Sequence, residues 1–162
     1  MAKSSINILK NCAGFSHNDR SEKKQPEYFL PVEFRKENEF DRNGIEAEKL
    51  LNEYIKEAKE NYKKETGQKF QGRVLNFEAV VNLNQNHTME DLKKLNENIE
   101  KEFGFRAVQT AIHRDEGHIK DGRPIYNYHA HIVFCNLDKN GKNPFKKYDK
   151  IRPIKIARFS FR

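Results

Sequence analysis

FRAVQTAIHRDEGHIKDGRPIYNYHAHIVFCNL, residues 105–137, contains two runs of strand-forming residues and four of the chain's six histidines. Successive side chains of a β-strand point to opposite faces, so residues two apart stand side by side. His129 and His131 in YNYHAHIVFCNL therefore share a face. With 105–114 as a second strand antiparallel to 126–137, His113 near its end reaches the same spot. Glu116, where that strand breaks into a loop, adds a carboxylate oxygen. A lone strand histidine is ordinarily a hydrogen-bonded core or surface residue. Four ligand types at strand-compatible spacing predict a divalent metal site of mixed nitrogen and oxygen donors, suited to Mn, Mg, Zn or a similar ion. His118, in the glycine-bearing loop between the runs, and His87, just before a helix start, read as solvated and outside the site.

Upstream of this stretch, Thr88 is a helix N-cap with Glu90 and Asp91 in the first turn, and Met89, Leu92, Leu95, Ile99 and Phe103 form a stripe ending at Gly104. Residues 73–83, RVLNFEAVVNL, read as a strand, and 45–64 as a helix whose apolar face ends at Thr66-Gly67. Ile6 and Ile8 alternate with polar residues in a first strand at 5–10, while 11–40, with Pro26 and Pro31, is irregular. Asp121-Gly122-Arg123-Pro124 is turn-forming and joins the last two strands. The predicted class is α+β, a mostly antiparallel central sheet with helices packed on one face.

A chain of 162 residues accommodates one domain, read as 1–145, followed by a basic tail at 146–162. No apolar run is long enough to span a membrane, and MAKSSINILKNCAG lacks the apolar core of a secretory signal. The expectation is a soluble, cytoplasmic protein. Cys12 and Cys135 stand far apart and read as reduced thiols, against both a disulfide framework and a thiolate zinc cluster. The net charge of +7 suits an anionic partner. From 139 to 162, nine basic residues face one acidic, with Phe145, Tyr148, Phe159 and Phe161 interleaved, a mixture suited to phosphate contact and base stacking.

A second constellation, GFSHNDR at 14–20, follows the first strand. With FSHNDR first, then HRDE and HAH, the chain resembles the plasmid mobilisation relaxases of the MobV, or Mob/Pre, group of HUH endonucleases through about Phe145. The resemblance implies metal-dependent, strand-specific nicking of plasmid DNA at a transfer origin in conjugative mobilisation, in a bacterial, plasmid-encoded protein. It makes His17 the nucleophile, Arg20 a phosphate-positioning partner and Asp115 an orienting acid, with His113, Glu116, His129 and His131 as ligands of Mn²⁺ or Mg²⁺. Tyr28, in the same irregular segment, is the alternative nucleophile. An attacking imidazole needs an unprotonated nitrogen, so activity is expected to fall below about pH 6.

The implied partners are single-stranded and hairpin DNA at the origin, along with other mobilisation or coupling proteins. Lys23, Lys24, Arg35, Lys142, Lys146 and Lys147 are the candidate DNA-binding cations. Two departures stand out. The family's H-x-H pair follows H-x-D-E within a few residues, whereas 117–128 intervene here, a length that a longer hairpin loop absorbs. The ending RPIKIARFSFR matches nothing the family implies and reads as a truncated or frame-shifted end. Rival readings are a rolling-circle replication initiator or transposase with the same metal hairpin, and a catalytically inactive truncated relaxase acting as a DNA-binding module. The first generally carries its nucleophile after the H-x-H strand, where Tyr148 is the only tyrosine.

Overall fold

The computed structural model describes residues 6–9, 14–24, 26–73 and 75–144. The tail at 146–162, with Lys146 and Lys147, and Cys12 lie outside the described residues. In chain order the elements are β1 (Ile6–Leu9), α1 (Phe15–Asn18), a 3₁₀ turn (Val32–Phe34), β2 (Glu39–Phe40), α2 (Gly44–Thr66), β3 (Asn76–Asn82), α3 (Met89–Phe103), β4 (Arg106–His113), β5 (Gly117–Lys120), β6 (Arg123–Tyr126) and β7 (His129–Cys135). Five strands form one antiparallel sheet in the order β1-β3-β7-β4-β2, and β5 and β6 form a separate hairpin. The fold is α+β, as the sequence predicts.

Local chemistry accounts for the helix ends. Thr88 and Asp91 form a capping box at the start of α3, and Gly104 closes it in the left-handed conformation with its N–H on the Glu100 carbonyl at 2.8 Å. Asn43 and Glu46 form the same box on α2, which Gly67 terminates with its N–H on the Lys63 carbonyl at 2.9 Å.

The helices are distributed otherwise than expected. Leu92, Leu95 and Ile99 of α3 pack against Phe77, Ala79, Val81, Ala130, Ile132 and Phe134, while Leu51 and Ala58 of α2 pack against Val133 and Cys135 on the other side of β7. The two long helices thus cover opposite faces of the sheet. Every residue of β7 is buried, the signature of a strand covered on both sides. Its unbroken apolar run IVFC carried that information.

The insertion between the last sheet strands is a β-hairpin. Asp121 and Gly122 both have positive φ, 50° and 73°, the type I′ geometry that Asp-Gly favours between two paired strands.

Candidate metal centre and phosphoryl-transfer site

Antiparallel register sets the site. His113 lies opposite His129 across β4 and β7, and His131 stands two residues along on the same face. The face that α2 covers with apolar contacts at the Cys135 end is thus lined with imidazoles at the His129 end. Ring centroids are 5.2 Å apart for His113 and His129, 4.8 Å for His113 and His131, and 5.0 Å for His129 and His131. His17, on α1, is brought over this cluster, its ring 5.5 Å from that of His113 and 5.3 Å from that of His131.

Each residue of HNDR has a distinct job in holding that turn. Asn18 is fully buried; its Nδ2 donates to Gln109 Oε1 at 3.1 Å and its carbonyl accepts from His113 Nε2 at 3.0 Å. Asp19 accepts from the Gly44 N–H at 2.6 Å and so ties α1 to the start of α2. Arg20 adopts φ 62°, a conformation that costs a non-glycine residue energy unless its surroundings over-determine it. Here they do: Nη2 donates to Asp115 Oδ1 at 2.7 Å and Glu116 Oε1 at 2.6 Å, and Nε donates to Asp115 Oδ2 at 3.2 Å. Asn38 adds a further donor to Asp115 Oδ2 at 2.7 Å.

Hydrogen-bond logic assigns the imidazole tautomers. His113 Nε2 faces the Asn18 carbonyl, His129 Nδ1 faces the Asn127 carbonyl at 2.8 Å, and His131 Nδ1 faces Glu78 Oε1 at 2.6 Å, so each of these nitrogens carries the proton. The lone pairs are therefore on His113 Nδ1, His129 Nε2 and His131 Nε2. Glu116 Oε1 lies 3.5 Å from His113 Nδ1 and its Oε2 3.7 Å from His129 Nε2. At that separation His113 Nδ1 is buried without a hydrogen-bond partner, an arrangement costly for a polar atom unless something else takes its lone pair. Ligand atoms of His113, Glu116 and His129 lie within 4.8 Å of one another, as do those of His17, His113 and His131. Donor type, tautomers and the orphaned nitrogen all fit a divalent cation.

The charge state suits the same use. Burial lowers the pKa of His113, His129 and His131, keeping them neutral as ligands must be. Burial raises Glu116, but the Arg20 guanidinium that donates to its Oε1 at 2.6 Å outweighs it, and the carboxyl is pulled down to about 2. His17 presents a different pattern. Its Nδ1 contacts Glu22 Oε1 at 2.9 Å, and its Nε2 faces Arg20 Nη1 at 3.4 Å. Arginine can only donate, so His17 Nε2 is the lone-pair nitrogen and Nδ1–H donates to Glu22.

These groups open on a cavity of about 380 Å³ lined by His17, Glu116, His129, His131, Tyr28 and residues of β3. Tyr28 is exposed at its rim, and burial followed by the charge of Glu116 pushes its phenol pKa up. A larger cavity of about 920 Å³, with Phe70 and Lys142 in its wall, lies by the C-terminal end of α2, away from the imidazoles.

The predicted cations scatter. Lys23 and Lys24 are exposed in the loop between α1 and Tyr28. Arg35 is committed to the fold, its Nε donating to the Leu30 carbonyl at 2.6 Å and its guanidinium 5.2 Å from the Phe29 ring. Lys142 sits beyond the opposite end of β7 from the histidines, 3.6 Å from Glu65. His118 is exposed, and His87 accepts from the Asn84 N–H at 3.0 Å, so neither joins the site. Sequence reading missed Glu78 and Glu22. Glu78 had a signal, since Asn76, Glu78 and Asn82 put polar groups on one face of an otherwise apolar strand. Glu22 lies in an irregular loop with no such pattern.

The MobM relaxase domain (MOBV; Mob_Pre) bound to plasmid pMV158 oriT DNA, a Mn-bound crystal structure at pH 6.8, aligns with 88% of this chain and 74% of that chain, with TM-score 0.56 and 18% identity. The fold is that of the MobM relaxase domain. No protein-family model matches the sequence, and no curated protein matches it. Among the described residues, no helix is long and apolar enough to cross a membrane.

Proposed function

We propose that the chain is a metal-dependent DNA-nicking relaxase that cleaves one strand at a plasmid transfer origin by transesterification, with His17 as the nucleophile. The observation that carries this reading is His17 itself. Its Nε2 lone pair is presented beside three neutral imidazoles and a carboxylate, with Nδ1–H anchored on Glu22. The fold shared with a Mn-bound, DNA-bound relaxase domain supports it further.

His113 Nδ1, His129 Nε2, His131 Nε2 and the Glu116 carboxylate would hold the divalent cation, Mn²⁺ or Mg²⁺. When bound, it supplies Lewis-acid polarisation of the scissile phosphate and neutralises charge developing on it. His17 Nε2 attacks phosphorus, forming an N–P bond as the P–O3′ bond breaks. The 3′-oxygen departs with that bond's electron pair and takes a proton from water, leaving a free 3′-OH and a protein-bound 5′-phosphate. Glu22, accepting from Nδ1–H, stabilises the positive charge that the imidazole gains, as a carboxylate does for histidine in catalytic triads. Arg20 holds Asp115 and Glu116 in register beneath the reacting groups.

The test mixes wild type and His17→Ala with single-stranded oligonucleotides tiling the DNA that carries the gene, in Mn²⁺, and looks for a denaturant-resistant mass shift. A shift in wild type alone is expected. A shift that persists in His17→Ala moves the role to Tyr28. Metal and DNA binding with no shift in either protein identifies a non-catalytic binding module.

A further inference from the structure

The cavity in front of the imidazoles has one wall that the proposed chemistry does not use. Tyr28 lines it together with His17, Glu116, His129 and His131, and the residue is 48% exposed. An aromatic residue half in water contributes little to a core, yet the backbone that carries this one is anchored. The Gly117 N–H donates to the Tyr28 carbonyl at 3.1 Å, and the Leu30 N–H donates to the Asp115 carbonyl at 2.9 Å. Phe29 forms an isolated β-bridge to Glu116, so the Tyr28 segment is fastened to the chain that carries a ligand. From below, the Phe29 ring meets Tyr28 edge-on at 5.8 Å and is itself covered by the Arg20 guanidinium at 4.5 Å. The result is a solvent-facing π-surface on an anchored backbone, at the mouth of a cavity of about 380 Å³ and beside groups suited to a phosphate.

A nucleotide presents those two demands together, an anionic phosphate and, a sugar away, a flat base. We propose that Tyr28 is the stacking platform for the nucleobase adjoining the phosphate bound at the imidazole cluster, so that the cavity is a single-nucleotide subsite. This rests on the reading of the site as a nucleic-acid phosphate site, and not on His17 being the nucleophile. A stack is tolerant of base identity, because every base has a π-face, and it contributes roughly 5- to 150-fold in affinity. The ring and not the hydroxyl carries the contact.

The experiment compares two ligands in Mg²⁺ by calorimetry, thymidine 3′,5′-bisphosphate and the base-free 2-deoxyribose 5-phosphate, on wild type, Tyr28→Phe and Tyr28→Ala. The base-bearing ligand is expected to bind wild type and Tyr28→Phe more tightly than Tyr28→Ala, by a factor within that range, while the base-free ligand binds all three alike. A second reporter exploits the absence of tryptophan from the chain. In Tyr28→Trp the introduced indole is expected to lose fluorescence on adding thymidine 3′,5′-bisphosphate and not on adding the base-free sugar phosphate. Equal affinity of Tyr28→Ala and wild type for the thymidine ligand, or loss of the base preference in Tyr28→Phe, overturns the proposal. A retained base preference in a protein that forms no covalent DNA adduct would remove the nicking reading and leave the subsite standing.

Discussion

Histidine chemistry at this site depends on what each ring's second nitrogen touches. His131 is oriented by Glu78, His129 by the Asn127 carbonyl and His113 by the Asn18 carbonyl, so the three tautomers are set by one carboxylate and two backbone carbonyls. Burial keeps these rings neutral, and this has a consequence for stability. Their folded pKa values lie below the ordinary 6.5, so as pH falls through 6.5 the unfolded chain binds protons that the folded chain refuses. The stabilisation is complete above 6.5 and is lost progressively below it. Glu116, at about 2 against an ordinary 4.5, keeps its contribution above pH 4.5 and loses it as pH falls from there to about 2. In the presence of a chelator, the melting temperature is therefore expected to drop between pH 7 and pH 5, as calorimetry at several pH values would record. A melting temperature that is flat or rises over that interval contradicts the burial of neutral imidazoles.

Among the elements, the β5–β6 hairpin is inserted between β4 and β7, which stay paired up to His113 and His129 at its base. Its base is locked at Gly117, where an added Cβ would lie 2.1 Å from the Ile125 carbonyl oxygen. At its tip, Gly122 has positive φ but open space around it. The two glycines should therefore respond differently to alanine. Gly122→Ala is expected to cost about 1 kcal/mol from the left-handed conformation alone. Gly117→Ala must part the two strands next to Glu116, so it should cost more than that and weaken Mn²⁺ binding as well. Urea unfolding and metal titration of the two variants check this; equal costs with unchanged metal affinity would mean that the hairpin base does not position Glu116.

Across the whole molecule, charge and chemistry are segregated along the chain. The segment from 139 to 162 carries a net charge of +8 against +7 for the whole chain, so the imidazole cluster is embedded in a remainder of −1. On the function proposed above, nonspecific attraction to DNA and phosphate chemistry would fall to different parts of the polypeptide. Single-strand affinity of the full chain is expected to fall at least tenfold between 50 and 200 mM salt, and the slope to flatten when the chain is ended at 144. Metal affinity should be the same in both forms. A salt dependence that survives the shortening would put the phosphate contacts on the domain, with Lys23 and Lys24 the exposed candidates.

Local information was sufficient for much of this architecture. The capping residues and stripe of α3, the Val-, Leu- and Phe-rich run of β3 and the H-x-H spacing of β7 are properties of near neighbours in sequence, and the structure has these elements where the residues predict them. The same spacing anticipated that His113, His129 and His131 share one face, because register between adjacent antiparallel strands converts a two-residue period into proximity. Contacts between residues far apart in sequence left no comparable trace. That α2 and α3 cover opposite faces follows from which apolar stripe meets which side of β7. The approach of His17 to the cluster depends on Asn18 reaching Gln109 and Arg20 reaching Asp115, partners more than ninety positions away. Glu78 and Glu22 acquire roles only through the imidazoles that folding places against them. A carboxylate carries no sequence mark of the ring it will orient, because that ring is chosen by packing.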